Sequence, residues 1–291
     1  MIVRGICLVA MAVALMGAAP APSPSPQDII DRAPAAAWTT VSSDDLVVMT
    51  LADGHVVTYA LAPFSPVHVA NIRALVRQGY FDGASILRVQ DDYVVQWGRP
   101  DEDPTKPTGI VANPPAEYDF AQPKAFRPLP YRDAYALKSG MIAGWPAASD
   151  GKTSWLVHCY GMIGVARDNP PTTGDGTQLY TVIGHAPRHL DRNLTVVGRI
   201  VDGMEFLTAQ KRGTGDLGFY KTDAERLKIV STKMASDLPA AARPAFQVMD
   251  TNTKTFTQWV HARAHRDQAF FVRPAGAVDV CNALPPVRKA P

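Results

Sequence analysis

Residues 67–99 read VHVANIRALVRQGYFDGASILRVQDDYVVQWGR. In the first half Val69, Ile72, Leu75 and Val76 recur at helical spacing and share one face, which predicts a short amphipathic helix. Ser65-Pro66 supplies an N-cap followed by proline at the first helical position, where its missing N–H is no loss, and Gly79 ends the helix. Past Gly79 the pattern changes to two β-rich runs, Ser85–Val89 and Tyr93–Gln96, joined by a short polar turn.

Working outward, Leu46–Leu51 and His55–Leu61 are β-rich runs separated by Ala52-Asp53-Gly54, and Asp-Gly is a strong hairpin signal. Residues 99–135 hold many prolines and charges, so long surface loops are expected there. Further strands are predicted at Gly161–Ala166, Leu179–Ile183 and Thr195–Ile200, then a second helix over Gly203–Gln210. Strands outnumber helices, and a mainly β fold results: a closed barrel with two helices at its ends. Beyond Lys211 the chain carries a strand-like Leu227–Met234 and a helix from Thr255 to His265. Phe256, Trp259, Val260 and Arg263 fall on one side of that helix, so it requires a surface to cover.

The start of the chain has a different character. Arg4 precedes an apolar run from Gly5 to Ala19, followed by a Pro/Ser-rich exit, the plan of a secretory signal peptide over residues 1–21. The run is too short for a membrane span of ~20 residues, and no later stretch reaches that length. Cleavage near Ala19 or Ala21 is expected, an uncleaved anchor being the alternative. Residues 22–37, rich in Pro and Ala, read as an extended tether. Cleavage would remove Arg4 alone, leaving 28 basic against 27 acidic residues and no electrostatic footprint for nucleic acid. Of the 3 cysteines, Cys7 lies in the leader; Cys159 and Cys281 would remain in an oxidising compartment. A single disulfide is the expectation, and two buried inert thiols the alternative.

The stretch quoted first resembles the signature of the cyclophilins, a family of prolyl cis–trans isomerases. Asn71-Ile72, the run Gly79-Tyr80-Phe81-Asp82-Gly83, Arg88-Val89, Tyr93, Gln96 and Gly98 match that family's motifs at its spacing. Downstream, Gly176–Tyr180, Leu190-Asp191 and Val196–Met204 are similar to its later motifs, so the resemblance runs from Leu46 to Leu207. The expected domain is 38–210, with 211–291 an appended C-terminal segment packing on the barrel. Segments Leu217–Tyr220 and Phe271–Gly276 resemble those of exported bacterial members with extensions.

The resemblance implies roles that agree with the chemistry. Rotating a prolyl amide requires no nucleophile, only loss of C–N resonance against a barrier of ~18–20 kcal/mol. One strong donor aimed at the prolyl nitrogen suffices, and Arg is always charged and rigidly forked. That role falls on Arg88. Gln96 would orient Arg88 or hold the substrate carbonyl, while Tyr93, Val94, Gln178, Tyr180, His189 and Leu190 would form the substrate pocket. The lining departs from the family's: Ile86-Leu87 replaces Phe-His, Val94 replaces Met, Tyr180 replaces Phe and His189 replaces Trp. A catalytically weak peptide-binding module or chaperone is therefore the rival reading.

Other signals are set aside. Gly213-Thr-Gly215-Asp-Leu-Gly218 satisfies G-x-G-x-x-G, but it follows a helix-like stretch and opens no helix, so it reads as a loop and not a dinucleotide site. The pairs His185/His189 and His261/His265 lack a third ligand, and no metal or cofactor is expected. The expectation is a periplasmic, monomeric isomerase acting on Pro-containing polypeptide clients.

Overall fold

A computed structural model describes residues 23–291; the expected leader over residues 1–21, with its expected cleavage site and Cys7, lies outside the described residues. Eight strands form the central sheet: β1 Leu46–Leu51, β2 Val56–Leu61, β3 Ser85–Gln90, β4 Val94–Gly98, β5 Met162–Val165, β6 Gln178–Val182, β7 Val196–Asp202 and β8 Ile229–Met234. Their order is β8-β1-β2-β7-β5-β6-β4-β3, all neighbours antiparallel. The two edges meet where Ser85 bridges Lys228 and Ile86 N–H donates to the Leu227 carbonyl at 2.9 Å, so the expected barrel is nearly closed. Inward-facing Val47, Met49, Tyr59, Ile86, Val95 and Trp97 fill it.

Helix α2, Pro66–Arg77, covers one end of the barrel with Val69, Ile72, Leu75 and Val76, the face read from their spacing. Its cap differs from expectation. The Ser65 side chain does not accept a helix N–H; its hydroxyl donates to the Val196 carbonyl at 3.0 Å. The Glu117 carboxylate caps the helix instead, accepting Val67 N–H and His68 N–H, each at 3.0 Å, and the His68 ring at 2.6 Å. A negative charge at a helix N-terminus complements both its free donors and its dipole. The second end helix, α3, is a single turn, Met204–Thr208, shorter than predicted.

Three stretches depart from the sequence reading. The tether is not simply extended: Pro26–Asp31 forms a helix, α1, closed by a capping box between Ser25 and Asp28, and Ile29 and Ile30 pack on the core. Proline at the first position and a Ser-x-x-Asp cap are helix-start signals that the surrounding Pro and Ala obscured. Next, within the long connection after β4, strands Phe120–Ala121, Phe126–Pro128, Lys138–Ile142, Trp145–Ser149 and Thr153–Leu156 build a separate antiparallel sheet. Its central strands are Gly/Ala/Ser-rich and contain Pro146, residues of low β-propensity, so the local signal is weak. Finally, β8 pairs with β1 across residues 229–234, so the barrel takes its last strand from beyond position 211.

The rest of the C-terminal segment covers the second sheet. Helix α4, Lys254–Ala264, buries Phe256, Trp259 and Val260 in a cluster shared with Trp145, Trp155 and Met141. Phe246–Met249 pairs with both Trp38–Thr40 and Val287–Lys289. Cys159 and Cys281 are bonded, with an S–S distance of 2.06 Å, joining the loop before β5 to the C-terminal turn. Among the described residues no helix is long and apolar enough to cross a membrane.

Candidate active site

Strand register assembles the site. Arg88 of β3 pairs with Gln96 of β4, which pairs with Tyr180 of β6, so three side chains share one row across three strands. The β3–β4 register slips between Ile86 and Arg88, and such irregularities re-aim a side chain. The Arg88 guanidinium lies between two rings, 5.6 Å from the Tyr93 centroid and 5.3 Å from that of Phe219. Its Nε donates to the Leu217 carbonyl at 2.6 Å, Nη1 to Gln96 Oε1 at 3.4 Å, and Nη2 to Gln90 Oε1. Each terminal nitrogen therefore keeps a second N–H. Burial draws the Arg88 pKa below the usual guanidinium value and Tyr93 opposes the shift; an arginine so placed remains a cation at neutral pH.

The amides form a chain behind the guanidinium. Gln96 Nε2 donates to Gln178 Oε1 at 2.8 Å, and Gln178 Nε2 donates to the Arg99 carbonyl at 3.0 Å. With one N–H of its amide on Gln178, Gln96 turns its oxygen towards Arg88 and keeps its second N–H. These residues border an open groove of about 700 Å³, walled also by Val94, Leu190 and Leu194, a size suited to a short peptide segment.

Tyr180 floors the groove, and its hydroxyl heads a buried relay. Burial first, then Tyr93 and Asp191, push that hydroxyl far above the ordinary phenol value, so it stays protonated. It donates to His158 Nε2 at 2.8 Å, while His158 Nδ1 lies 3.0 Å from Asp191 Oδ1. A carboxylate only accepts, so Nδ1 carries the imidazole proton and Nε2 receives the phenol. Asp191 Oδ2 also accepts Arg188 Nε at 2.6 Å, and Arg188 forks onto Asp133 at 3.0 and 3.1 Å. Gly164 makes room for the ring, since a Cβ there would collide with Tyr180 Oη and Cζ.

Arg88, Tyr93, Val94, Gln96, Gln178, Tyr180 and Leu190 all reach the groove. His189 stands at the rim, exposed, its ring parallel to Tyr93 at 6.1 Å. Leu217, Phe219 and Arg226 line the groove from beyond the stretch of resemblance, and His158 lies beneath it; sequence reasoning missed all four. Gly213–Gly218, set aside as a loop, was the available pointer to the first two. No group of three or more His, Cys, Asp or Glu among the described residues is placed to hold a metal.

An antiparallel barrel with end helices, carrying a guanidinium and two oriented amides over an aromatic-floored groove, is the architecture of a cyclophilin-like barrel. The chain belongs to the cyclophilin-type peptidyl-prolyl cis–trans isomerases: the model of that family, described as cyclophilin type peptidyl-prolyl cis-trans isomerase/CLD, matches residues 46–234. The match ends with β8, the strand that completes the barrel. A probable peptidyl-prolyl cis-trans isomerase of Brucella abortus is 26% identical over 173 residues, 59% of this chain and 74% of that protein. A putative thylakoid lumen peptidyl-prolyl cis-trans isomerase of Synechocystis is 25% identical over 182 residues, 59% of this chain and 42% of that one. The crystal structure of cyclophilin AquaCyp293 from Hirschia baltica superposes with a TM-score of 0.66 at 26% identity, covering 87% of this chain and 93% of that one. That coverage extends past the family match into the C-terminal segment.

Proposed function

We propose that Arg88 drives prolyl isomerisation in this enzyme, and that it serves exported proteins as they fold in the periplasm. A proline ring enters the groove over Tyr180, beside Val94 and Leu190. As the amide twists, resonance is lost and the nitrogen lone pair localises; a free N–H of Arg88 donates to it, an interaction absent from the planar ground state. Gln96, oriented by Gln178, keeps the guanidinium in place and offers an amide to the substrate carbonyl. His189 and Tyr93 flank the entrance. The observation that carries this reading is the row Arg88–Gln96–Tyr180 over one groove. Export is supported by the apolar leader, the Cys159–Cys281 bond and the named compartment of the Synechocystis relative. Its clients are Pro-containing polypeptides, met by a monomer.

A protease-coupled assay on a short Ala-Pro peptide tests the mechanism. Arg88→Ala lowers kcat/KM by about 100-fold or more, the scale of losing a transition-state donor, while circular dichroism shows an intact fold. An unchanged rate in that variant refutes the role. A wild-type protein that binds the peptide without isomerising it favours the rival reading, a peptide-binding module or chaperone, which the altered lining at Val94 and Tyr180 supports.

A further inference from the structure

The loop Gly213–Gly218 has its glycines for a reason unrelated to nucleotides. It folds back on itself through Gly215 N–H to the Phe219 carbonyl at 2.9 Å and Gly218 N–H to the Gly215 carbonyl at 3.1 Å. It also lies along β3: Gly213 N–H donates to the Val89 carbonyl at 2.9 Å, Tyr220 N–H to the Leu87 carbonyl at 3.0 Å, and Phe219 bridges Arg88. At Gly218, where φ is +81°, a Cβ would lie 2.7 Å from Gln90 Cα and 2.8 Å from the Val89 oxygen. Only glycine permits that approach. Leu217 itself has φ +54°, a region that side-chain-bearing residues seldom adopt. Its carbonyl thereby reaches Arg88 Nε, and its side chain is left 67% exposed. Phe219, stacked on Arg88, remains 38% exposed.

The segment thus does two things beside the guanidinium. It holds Nε, and it presents two large apolar side chains at the groove wall. Arg226, the cation that lines the groove from the same part of the chain, is paired with Glu102 at 3.0 Å and lies 3.8 Å from Asp223, so it leaves little pull on an acidic substrate. We infer that Leu217 and Phe219 form a subsite for an apolar or aromatic side chain next to the substrate proline, making this enzyme selective for prolines with an apolar neighbour. The inference rests on the groove binding proline-containing peptides, as proposed above. The physical basis is area: a large apolar side chain covering Leu217 and Phe219 removes surface from water on both partners, whereas glycine covers almost none.

The test uses the protein from residue 22 onward and peptides that carry Phe or Gly on either side of the proline. Both kcat/KM and calorimetric affinity are measured for the wild type, Leu217→Ala, Phe219→Ala and Phe219→Leu. The wild type prefers a Phe-flanked peptide, and Leu217→Ala and Phe219→Ala each cut the Phe-to-Gly preference by about tenfold, the range that apolar pockets discriminate; Phe219→Leu recovers part of it. Leu217→Ala keeps the carbonyl that holds Arg88, and its side chain is exposed, so it separates the subsite from the anchoring of Arg88 and from folding. A preference unchanged in both alanine variants, or losses equal for Phe- and Gly-flanked peptides, overturns the inference and leaves isomerisation standing. If the wild type isomerises neither peptide, the proposed activity fails, and the affinity ratios alone decide the subsite.

Discussion

Tyr180 shows how a polar atom is admitted beneath an apolar groove. A buried hydroxyl without a partner costs about 1–3 kcal/mol, and His158, itself 1% exposed, supplies the acceptor. The imidazole is in turn held by Asp191, so ring orientation at the groove floor depends on a residue that never touches the groove. His158→Leu leaves both the phenol and Asp191 short of a partner and is expected to cost about 2–4 kcal/mol; Tyr180→Phe costs about 1 kcal/mol. The two changes delete the same bond, so the double variant loses less than the sum of the singles by about 1 kcal/mol. Urea denaturation of the four proteins checks this, and strict additivity would show that the bond contributes nothing. Arg199 is the contrasting case: a buried cation on Trp145 whose only acceptor among the described residues is the Gly144 carbonyl, its pKa pushed down to about 10 by burial.

At the scale of elements, the pair Asp133–Arg188 joins the second sheet to the groove. Asp133 lies between the strands Phe126–Pro128 and Lys138–Ile142, whereas Arg188 opens the turn Arg188–Leu190 that brings Leu190 to the groove. Both side chains are almost wholly buried, Asp133 at 1% and Arg188 at 3% exposure. Burial would raise the Asp133 carboxyl, but hydrogen bonds from Arg188 and the Tyr135 N–H outweigh it and hold the pKa below the ordinary value. A depressed carboxyl pKa means that the unfolded state binds the proton more readily; the stabilisation is complete above the unfolded value of about 4 and is lost as pH falls through the folded value. Asp133→Asn is therefore expected to cost about 3–5 kcal/mol near pH 7, as breaking a buried pair does. The gap between variant and wild type narrows below about pH 4. Denaturant titrations at both ends of that range measure it, and a pH-independent gap would sink the argument.

For the whole molecule, the decisive link is between the barrel and everything that follows β8. Cys159 and Cys281 are 122 residues apart in sequence, and closing a loop of that length removes about 4–5 kcal/mol of chain entropy from the unfolded state. Helix α4, which packs on α1 and on the second sheet, belongs to the cluster thus secured. Cys281→Ser is expected to lower stability by several kcal/mol, and hydrogen exchange should show α4 losing protection before the barrel strands do. Intact-mass analysis of the native protein checks the premise: two free thiols in protein taken from an oxidising compartment would contradict it.

By itself the sequence determined what depends on near neighbours. The Asp53-Gly54 hairpin, the apolar face of α2, the barrel strands and the spacing that sets Arg88 eight positions before Gln96 are all written in residues within a turn or a strand of one another. Local propensity and periodicity act over that range, which is why they were legible. Tertiary structure decided the rest. Glu117, not Ser65, caps α2 because a distant loop returns to it; Ala-rich segments became strands because burial between barrel and α4 outweighed their low propensity. Leu217 reaches Arg88 across 129 residues of chain, with Phe219 just beyond it, and His158 meets Tyr180 from a different strand connection. Such contacts are fixed by the path of the backbone through space, and no local pattern encodes that path.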